Sequence, residues 1–188
     1  INDLLTRAQF RQARVTGVDP DAGRVELSDG ELSYDIGAVC LGAQTAFYGL
    51  PGVTEHATPL KRVEHARQIR TGFEAVQTEG GRAVVCGAGL SGIQVAGELA
   101  ELAREAETNP SVVLLEQKSD IAPSFPAQFQ DAVREELLDR GVEIRTETSV
   151  SGADEAALEL GADRLAYDQL IWTGGLTGQD ALGDRPQV

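Results

Sequence analysis

One stretch, residues 82–118, constrains the fold of this chain more than any other. An apolar run at residues 83–86 leads into a turn that carries Gly87, Gly89 and Gly92 in the spacing G-x-G-x-x-G. In such units the first glycine permits the tight turn, the second lets the backbone approach a pyrophosphate, and the third lets the next helix pack on the strand. The start of that helix carries the positive end of its dipole, where phosphates bind. The stretch therefore predicts a strand, a turn and a helix that bind a dinucleotide.

A carboxylate follows at the end of the second strand of this unit. The apolar run at residues 112–115 ends in Glu116, where dinucleotide-binding units place the acid that hydrogen-bonds the ribose. This carboxylate would repel a 2′-phosphate, and no arginine stands beside it, although Lys118 is near. NADH is therefore favoured over NADPH. The expected binding residues are Gly87, Ala88, Gly89, Leu90, Ser91, Gly92, Glu116 and Gln117.

The alternative interpretation is a glycine-rich turn in an ordinary βαβ unit, with Glu116 as a solvated strand end. The glycine spacing alone would be weak support, because the chain holds 21 glycines. The preceding strand, the following helix and the acidic strand end all stand where a dinucleotide requires them, so the dinucleotide interpretation is preferred.

Composition narrows the class of partner. The chain has 30 acidic and 16 basic residues and a net charge of −14, which argues against nucleic acid and anionic membranes as partners. The same balance is typical of proteins from halophilic organisms. No apolar run approaches the roughly 20 residues that span a bilayer, so a cytoplasmic location is expected.

The two cysteines and the start of the chain indicate no further reactive site. Cys40 and Cys86 each end an apolar run and are expected to be buried free thiols, with no C-x-x-C and no metal spacing. A redox dithiol and a metal site are therefore not expected. The chain begins at Ile1 and contains no methionine, which favours a fragment of a longer protein.

The rest of the chain reads as an α/β protein with short antiparallel segments. A small antiparallel meander is expected at residues 10–34. A buried strand is expected next at residues 36–41, running into Gly42. The later expected elements are a helix at 61–77, a helix at 126–140, a strand at 142–145, a meander or hairpin at 146–166 and a buried strand at 169–172.

A strand that ends in glycine occurs twice outside the G-x-G-x-x-G turn. Tyr34-Asp35 precedes the run ending at Gly42, and Tyr167-Asp168 precedes the run ending at Gly174. Each resembles the last strand of a nucleotide-binding half, where backbone passes close to a ligand. Two such strand ends with only one G-x-G-x-x-G turn imply that one of two nucleotide-binding halves lacks its N-terminal part.

These segments resemble the FAD-dependent pyridine nucleotide oxidoreductase superfamily, and within it most closely the type II NADH dehydrogenases. The resemblance is carried by residues 34–43, 48–52, 87–99 and 170–175. It implies a Rossmann-like NAD(H) domain with a parallel sheet and a small β-meander, inserted in an FAD domain that is incomplete here. The implied division is a partial FAD segment at 1–52, a linker and helix at 53–80, the NAD(H) domain at 81–175 and a returning tail at 176–188.

The resemblance also implies an activity, in which hydride passes from NADH to FAD and then to quinone or another acceptor. Thr173, Gly174 and Gly175 would border the nicotinamide, and Gly42 and Ala43 the flavin. Type II NADH dehydrogenases usually carry a glutamate where this chain has Gln94, and an amide cannot transfer a proton. The role of Gln94 and the catalytic residue therefore remain open.

The missing part of the FAD domain has consequences for the isolated chain. The FAD fingerprint is absent. No apolar run that could form a strand precedes Asp184, so this residue is not interpreted as part of the later segment that binds the flavin. The chain alone is therefore expected to bind NADH, to hold no FAD and to be inactive. An unpaired sheet edge would favour a homodimer. The complete parent could also be peripheral on the cytoplasmic face of a membrane.

Several alternatives to this activity stay open. One is a non-catalytic module that binds or senses NADH. The others are relatives of NADH oxidases, ferredoxin reductases or sulfide–quinone reductases, whereas the lack of a dithiol argues against disulfide reductases.

Overall fold

The computed structural model describes residues 7–178, which form two compact units. The larger unit is Thr45–Leu176, and the smaller one contains the residues before it together with Thr177 and Gly178. Asp184, most of the tail predicted at 176–188 and the first residues of the partial FAD segment lie outside the described residues.

The smaller unit contains the predicted antiparallel meander. Its strands are Val15–Asp19 (β1), Arg24–Leu27 (β2) and Gly30–Ser33 (β3), in the order β1-β2-β3. The turn between β1 and β2 is closed by Asp19, whose Oδ1 accepts the N–H groups of Asp21 and Ala22 at 3.1 and 3.0 Å. An aspartate in this position caps a turn with its own side chain, as the sequence indicates.

The strand predicted at residues 36–41 does not form. No strand lies between Ser33 and Ala43, and the next is the short β4, Ala43–Thr45, in a two-stranded sheet with β13, Leu176–Gly178. Ile36 is 94% exposed, and Cys40, expected to be a buried thiol, is also exposed. An apolar run becomes a strand only where another strand pairs with it, and none among residues 7–178 does so.

The larger unit is built on a five-stranded parallel sheet, which confirms the predicted Rossmann-like α/β class. Its order is β5-β12-β6-β7-β8, and every neighbouring pair is parallel. A second sheet, of order β11-β10-β9, is the antiparallel meander predicted at residues 146–166. The elements are α1 Val53–His56, β5 Thr58–Pro59, α2 Val63–Glu79, β6 Arg82–Cys86, α3 Leu90–Arg104, β7 Ser111–Leu115, α4 Ala127–Asp139, β8 Glu143–Arg145, β9 Gly152–Ala153, β10 Ala157–Leu160, β11 Asp163–Ala166 and β12 Gln169–Trp172.

The parallel sheet is covered on both faces, which explains why its strands read as continuous apolar runs. Successive strand residues point to opposite faces. One face packs against α2, α3 and α4 through Ala83, Val85, Val112, Leu114 and Ile171. The other packs against β10, β11 and α1 through Val84, Cys86, Val113, Leu115, Leu170 and Trp172.

Helix α2, predicted at residues 61–77, belongs to this core. Ile69, Phe73 and Val76 recur at helical spacing and are buried. The helix ends at Gly80, whose left-handed backbone (φ 72°) lets its N–H donate to the Val76 carbonyl at 3.0 Å. Gly72, on the same helix, leaves room for the buried Gln169 side chain, since a Cβ there would lie 2.5 Å from its Nε2.

We expect Phe73→Ala to destabilise the larger unit. Its side chain is fully buried between α2 and the sheet, so truncation should reduce the free energy of unfolding by about 3–5 kcal/mol. Val63→Ala, in the same helix but 63% exposed, should change it by less than about 0.5 kcal/mol. Urea unfolding measures both. Equal effects of the two substitutions would contradict the packing of α2 on the sheet.

Candidate functional site

A cavity of about 560 Å³ opens at the carboxyl edge of the parallel sheet, within the larger unit. The ends of three neighbouring strands, β12, β6 and β7, form its floor. The chain leaves β6 towards β7 on one side, while β12 lies on the other, so the cavity sits where the strand order reverses. Its lining comprises Tyr48, Leu50, Cys86, Gly87, Gly89, Leu90, Leu115–Lys118, Ala122–Phe125, Thr148, Val150 and Trp172–Gly175.

The glycine turn above β6 contains two glycines that the fold itself requires. Gly87 has φ 105°, and its N–H donates to the Leu115 carbonyl at 2.8 Å. A Cβ on Gly92 would lie 1.8 Å from the Gly87 carbonyl oxygen, so α3 could not approach the turn. These two positions are explained by backbone conformation and by close packing.

Gly89 differs from its two neighbours in the motif. Its φ of −72° is open to every residue, and a Cβ there would meet no atom of the protein within 4 Å. The fold therefore does not require glycine here. A group that occupies the cavity and approaches the backbone at Gly89 would require it.

The start of α3 adds backbone donors beside Gly89. The helix begins at Leu90, its first residue after the extended Gly89, and it has neither a side-chain cap nor an acidic residue in its first turn. The N–H of Ile93 donates to the Gly89 carbonyl at 3.0 Å. The N–H groups before Ile93 have no acceptor within the helix, and the dipole makes this end positive. An anion fits these donors.

Glu116 is 8% exposed and its carboxylate holds the glycine turn. Oε2 accepts the N–H of Ala88 at 2.9 Å, and Oε1 accepts the N–H of Lys118 at 3.0 Å. Each carboxylate oxygen can accept a second hydrogen bond, so the cavity side of Glu116 can still bind hydroxyl groups. The spacing in the sequence predicts the acid here, but it does not reveal its bond to the turn.

At the β12 side of the cavity, Thr173 joins the ends of β12 and β6. Its N–H donates to the Cys86 carbonyl at 2.8 Å, and its hydroxyl lies 2.9 and 2.8 Å from the carbonyl oxygens of Cys86 and Gly87. A Cβ on Gly174 would lie 2.7 Å from the Trp172 ring. The indole N–H of Trp172 donates to the Ala46 carbonyl at 2.8 Å, which joins this corner to the segment before Tyr48.

A tight turn at residues 47–50 closes the same side. The Leu50 N–H donates to the Phe47 carbonyl at 3.1 Å, and Tyr48 and Gly49 both have positive φ, 56° and 66°. These are the features of a type I′ turn, which favours asparagine or glycine in both central positions. A left-handed conformation costs a residue such as tyrosine about 1–2 kcal/mol.

The loop after β7, residues 119–126, forms the wall beyond Glu116. The N–H of Ala122 donates to the Ala88 carbonyl at 2.7 Å, and Gln130 Nε2 donates to the Ala122 carbonyl at 3.2 Å. Asp120 pairs with Arg134, whose hydrogen bond lowers the pKa of the Asp120 carboxyl. The loop thus carries Phe125 into the cavity lining at a defined position.

The cavity brings together eight of the predicted site residues: Gly87, Gly89, Leu90, Glu116, Gln117, Thr173, Gly174 and Gly175. Ala88 and Gly92 lie behind them and shape the turn. Ser91 lines a separate cavity of about 480 Å³ with Lys61 and Arg62, and Gln94 lines a shallow groove between α3 and α4. Gly42 and Ala43 belong to the smaller unit and are not part of this lining.

Sequence reasoning missed Tyr48, Phe125 and Trp172 as members of the lining. Tyr48 and Phe125 stand beside Gly49 and Pro126 in segments between strands and helices, a weak signal that could have identified them. Trp172 is the last residue of β12 and carried no such signal. Cys86 also lines the cavity as a buried thiol, and burial raises its pKa well above the ordinary value. It is therefore a poor nucleophile.

Residues 7–178 contain no cluster of three potential metal ligands. Over the same residues, no helix combines the length and apolar character that crossing a membrane requires. The lining of the cavity provides backbone donors, the carboxylate of Glu116, the side chain of Lys118, hydroxyl groups and aromatic rings.

The different environments of Gly92 and Gly89 predict different effects on stability. Gly92→Ala should reduce the free energy of unfolding by about 1–3 kcal/mol or more, because the added methyl meets the fixed Gly87 carbonyl. Gly89→Ala should leave it unchanged or raise it by about 0.4–1 kcal/mol, since alanine tolerates this φ. Urea unfolding distinguishes them, and a marked loss of stability for Gly89→Ala would show that the fold does require glycine there.

Comparison with known proteins places this chain in a family. The family model described as pyridine nucleotide-disulphide oxidoreductase matches residues 3–187. The NADH dehydrogenase-like protein YutJ of Bacillus subtilis is 25% identical over 179 residues, which cover 95% of this chain and 49% of that protein. The Type II NADH:quinone oxidoreductase of Staphylococcus aureus is 26% identical over 197 residues, covering 94% and 49%.

The fold has a counterpart among solved structures. NDH2 from Plasmodium falciparum, solved in complex with NADH, superposes with a TM-score of 0.79 at 20% identity, covering 91% of this chain and 41% of that one. The chain spans about half the length of the curated relatives it matches. The predicted resemblance is confirmed: the chain belongs to the pyridine nucleotide-disulphide oxidoreductase family.

Proposed function

We propose that the larger unit binds NADH and presents its nicotinamide to FAD in a flavoprotein oxidoreductase of the NADH dehydrogenase type. The observation that carries this proposal is Gly89, a glycine that the fold does not need, beside free backbone donors at the start of α3. A pyrophosphate that packs against the backbone would account for both features.

The order of the strand ends supports a placement for the rest of the dinucleotide. β6 is central, so a pyrophosphate over its turn has Glu116 on the β7 side and residues 173–175 on the β12 side. Glu116 would accept the hydroxyls of the adenine-side ribose, and the nicotinamide half would lie towards Thr173. The cavity volume of about 560 Å³ is within the usual range for small-molecule sites.

The charge of Glu116 supports NADH over NADPH. The carboxylate is buried, and its two hydrogen bonds to backbone N–H groups hold it in place. A 2′-phosphate on the ribose would bring a second negative group against this fixed charge. Lys118 lines the same cavity, and its backbone N–H donates to Glu116 Oε1 at 3.0 Å, which helps to hold the acid in place.

In this mechanism NADH supplies a hydride and FAD, when bound, accepts it. The residues of this chain bind and orient the donor: the glycine turn and α3 hold the pyrophosphate, Glu116 the ribose, and residues 172–175 the nicotinamide half. Gln94 lies outside the cavity lining, so no proton transfer is assigned to it. Hydride transfer from NADH depends on how the donor is oriented more than on an acid or base supplied by the protein.

The acceptor and the flavin remain parts of the proposal. Relatives named NADH:quinone oxidoreductase favour a quinone as the final acceptor. Gly42, with φ 70°, and Ala43 would lie beside the flavin in the complete protein. The chain without the FAD fingerprint should bind NADH, retain no FAD and be inactive.

The test of the proposed function is NADH binding by the 188-residue chain. The unmodified chain should bind NADH, and Gly89→Ala should weaken it about tenfold or more, equal to about 1.4 kcal/mol, because the methyl enters the pyrophosphate space. Gly97→Ala is the matched control on α3, since a Cβ there makes ordinary contact with Leu137 at 3.7 Å. Fluorescence titration measures the three proteins. Full NADH affinity in Gly89→Ala would contradict the placement of the pyrophosphate.

Cofactor choice should depend on Glu116. Glu116→Ala should weaken NADH binding by about 1–2 kcal/mol through lost hydrogen bonds, and Glu116→Gln should narrow the difference between NADH and NADPH by removing the charge. Glu98→Gln, an exposed position on α3, is the control. Calorimetric titration with both nucleotides measures this. Tighter binding of NADPH than NADH by the unmodified chain would refute the assignment.

A further inference from the structure

Tyr48 combines a strained backbone with an exposed ring at the edge of the cavity. Its φ of 56° places it in a conformation that favours glycine or asparagine, yet the residue is a tyrosine. The residue is 68% exposed while it lines the cavity, so burial of its ring within the protein does not offset the strain. Strain of this kind recurs where function holds a residue in place.

The position of this turn is fixed by several contacts with the end of β12. The Ala46 N–H donates to the Gly175 carbonyl at 3.0 Å, and the Ala46 carbonyl accepts the Trp172 indole. The ring of Phe47 stacks on that of Trp172 with centroids 6.3 Å apart. The two residues before Tyr48 therefore hold the turn against β12 through contacts of their own.

The Tyr48 hydroxyl donates to the Gly174 carbonyl at 3.1 Å. Gly175 leaves the space for it, since a Cβ there would lie 2.4 Å from that hydroxyl. The ring thus spans residues 174–175, on the side of the cavity away from Glu116. It is anchored at its tip and open along its face.

We propose that Tyr48 is a specificity-determining residue for the nicotinamide of NADH, with its ring packed against the nicotinamide ring and its hydroxyl anchored on Gly174. This inference rests on the proposed function, which puts the pyrophosphate at the β6 turn and the adenosine at Glu116. The remaining half of the dinucleotide must then lie on the β12 side, where Tyr48 is the exposed aromatic surface among the described lining residues.

ADP-ribose is the probe that separates this role from a merely structural one. It carries the adenosine, the pyrophosphate and the second ribose of NADH but no nicotinamide. A residue that only shapes the cavity would affect both ligands equally, whereas a residue that contacts the nicotinamide affects NADH alone.

The experiment compares NADH and ADP-ribose binding in Tyr48→Asn, Tyr48→Phe and the unmodified 188-residue chain. Asparagine suits the type I′ turn, so the melting temperature of Tyr48→Asn should not fall. Its NADH affinity should drop about tenfold, as for loss of a stacking ring, with ADP-ribose affinity unchanged. Tyr48→Phe keeps the ring and loses its anchor, so NADH affinity should drop about threefold. Tyr34→Asn, in the smaller unit, is the control and should change neither affinity.

Each other result overturns the inference in a recognisable way. If Tyr48→Asn lowers the affinity for both ligands equally, the ring only forms part of the cavity wall and is not specific for the nicotinamide. Unchanged binding of both would remove Tyr48 from the site. If the unmodified chain binds neither NADH nor ADP-ribose, the proposed function itself fails. If it binds ADP-ribose but not NADH, the placement of the nicotinamide fails while the adenosine site stands.

Discussion

The structure depends on the close approach of helix α3 to the turn above β6. That approach is possible only because Gly92 has no side chain, since the space for its Cβ is taken by the Gly87 carbonyl. The turn is then tied to both neighbouring strands: Gly87 donates to Leu115 at the end of β7, and Thr173 at the end of β12 contacts Cys86 and Gly87. These bonds fix the start of α3 over the carboxyl edge of the sheet.

This constraint accounts for most of the shape of the cavity. The ends of β12, β6 and β7 must meet beneath the helix start, and the segments that leave them form the walls. Glu116 stabilises the same turn from the side, and the loop carrying Ala122 does so through the Ala88 carbonyl. Because the N–H groups of Gly87 and Ala88 are bonded to Leu115 and Glu116, the protein itself holds this part of the turn in place, which would reduce the ordering that binding of a ligand requires.

The two turns at the cavity differ in how well their residues suit the backbone conformation. The β6 turn uses glycine where the backbone needs it, whereas the turn at residues 47–50 places a tyrosine in a conformation that glycine would occupy more readily. Contacts of Phe47 and Ala46 with Trp172 and Gly175 stabilise that second turn. The surrounding structure thus supports a local conformation that would be unfavourable in isolation.

Apolar patterning predicted the larger unit well and the smaller one only in part. The runs that became β6, β7 and β12 lie in one sheet whose two faces are both covered. Residues 36–41 have a similar apolar composition but meet no partner strand among residues 7–178, and Ile36 is exposed as a result. Strand propensity is expressed only when a neighbour supplies the other half of the hydrogen bonds.

The sequence by itself determined the βαβ unit, the glycine turn and the acid at the end of β7, because these depend on residue types at short, regular separations. Only the tertiary structure decided that Glu116 holds the turn, that Gly89 faces open space, and that Ser91 and Gln94 lie away from the main cavity. It also decided that Tyr48, remote in sequence from Gly174 and Gly175, spans them. Such relations depend on which strands become neighbours in the sheet, and that order is set by packing over the whole unit rather than by any local run of residues.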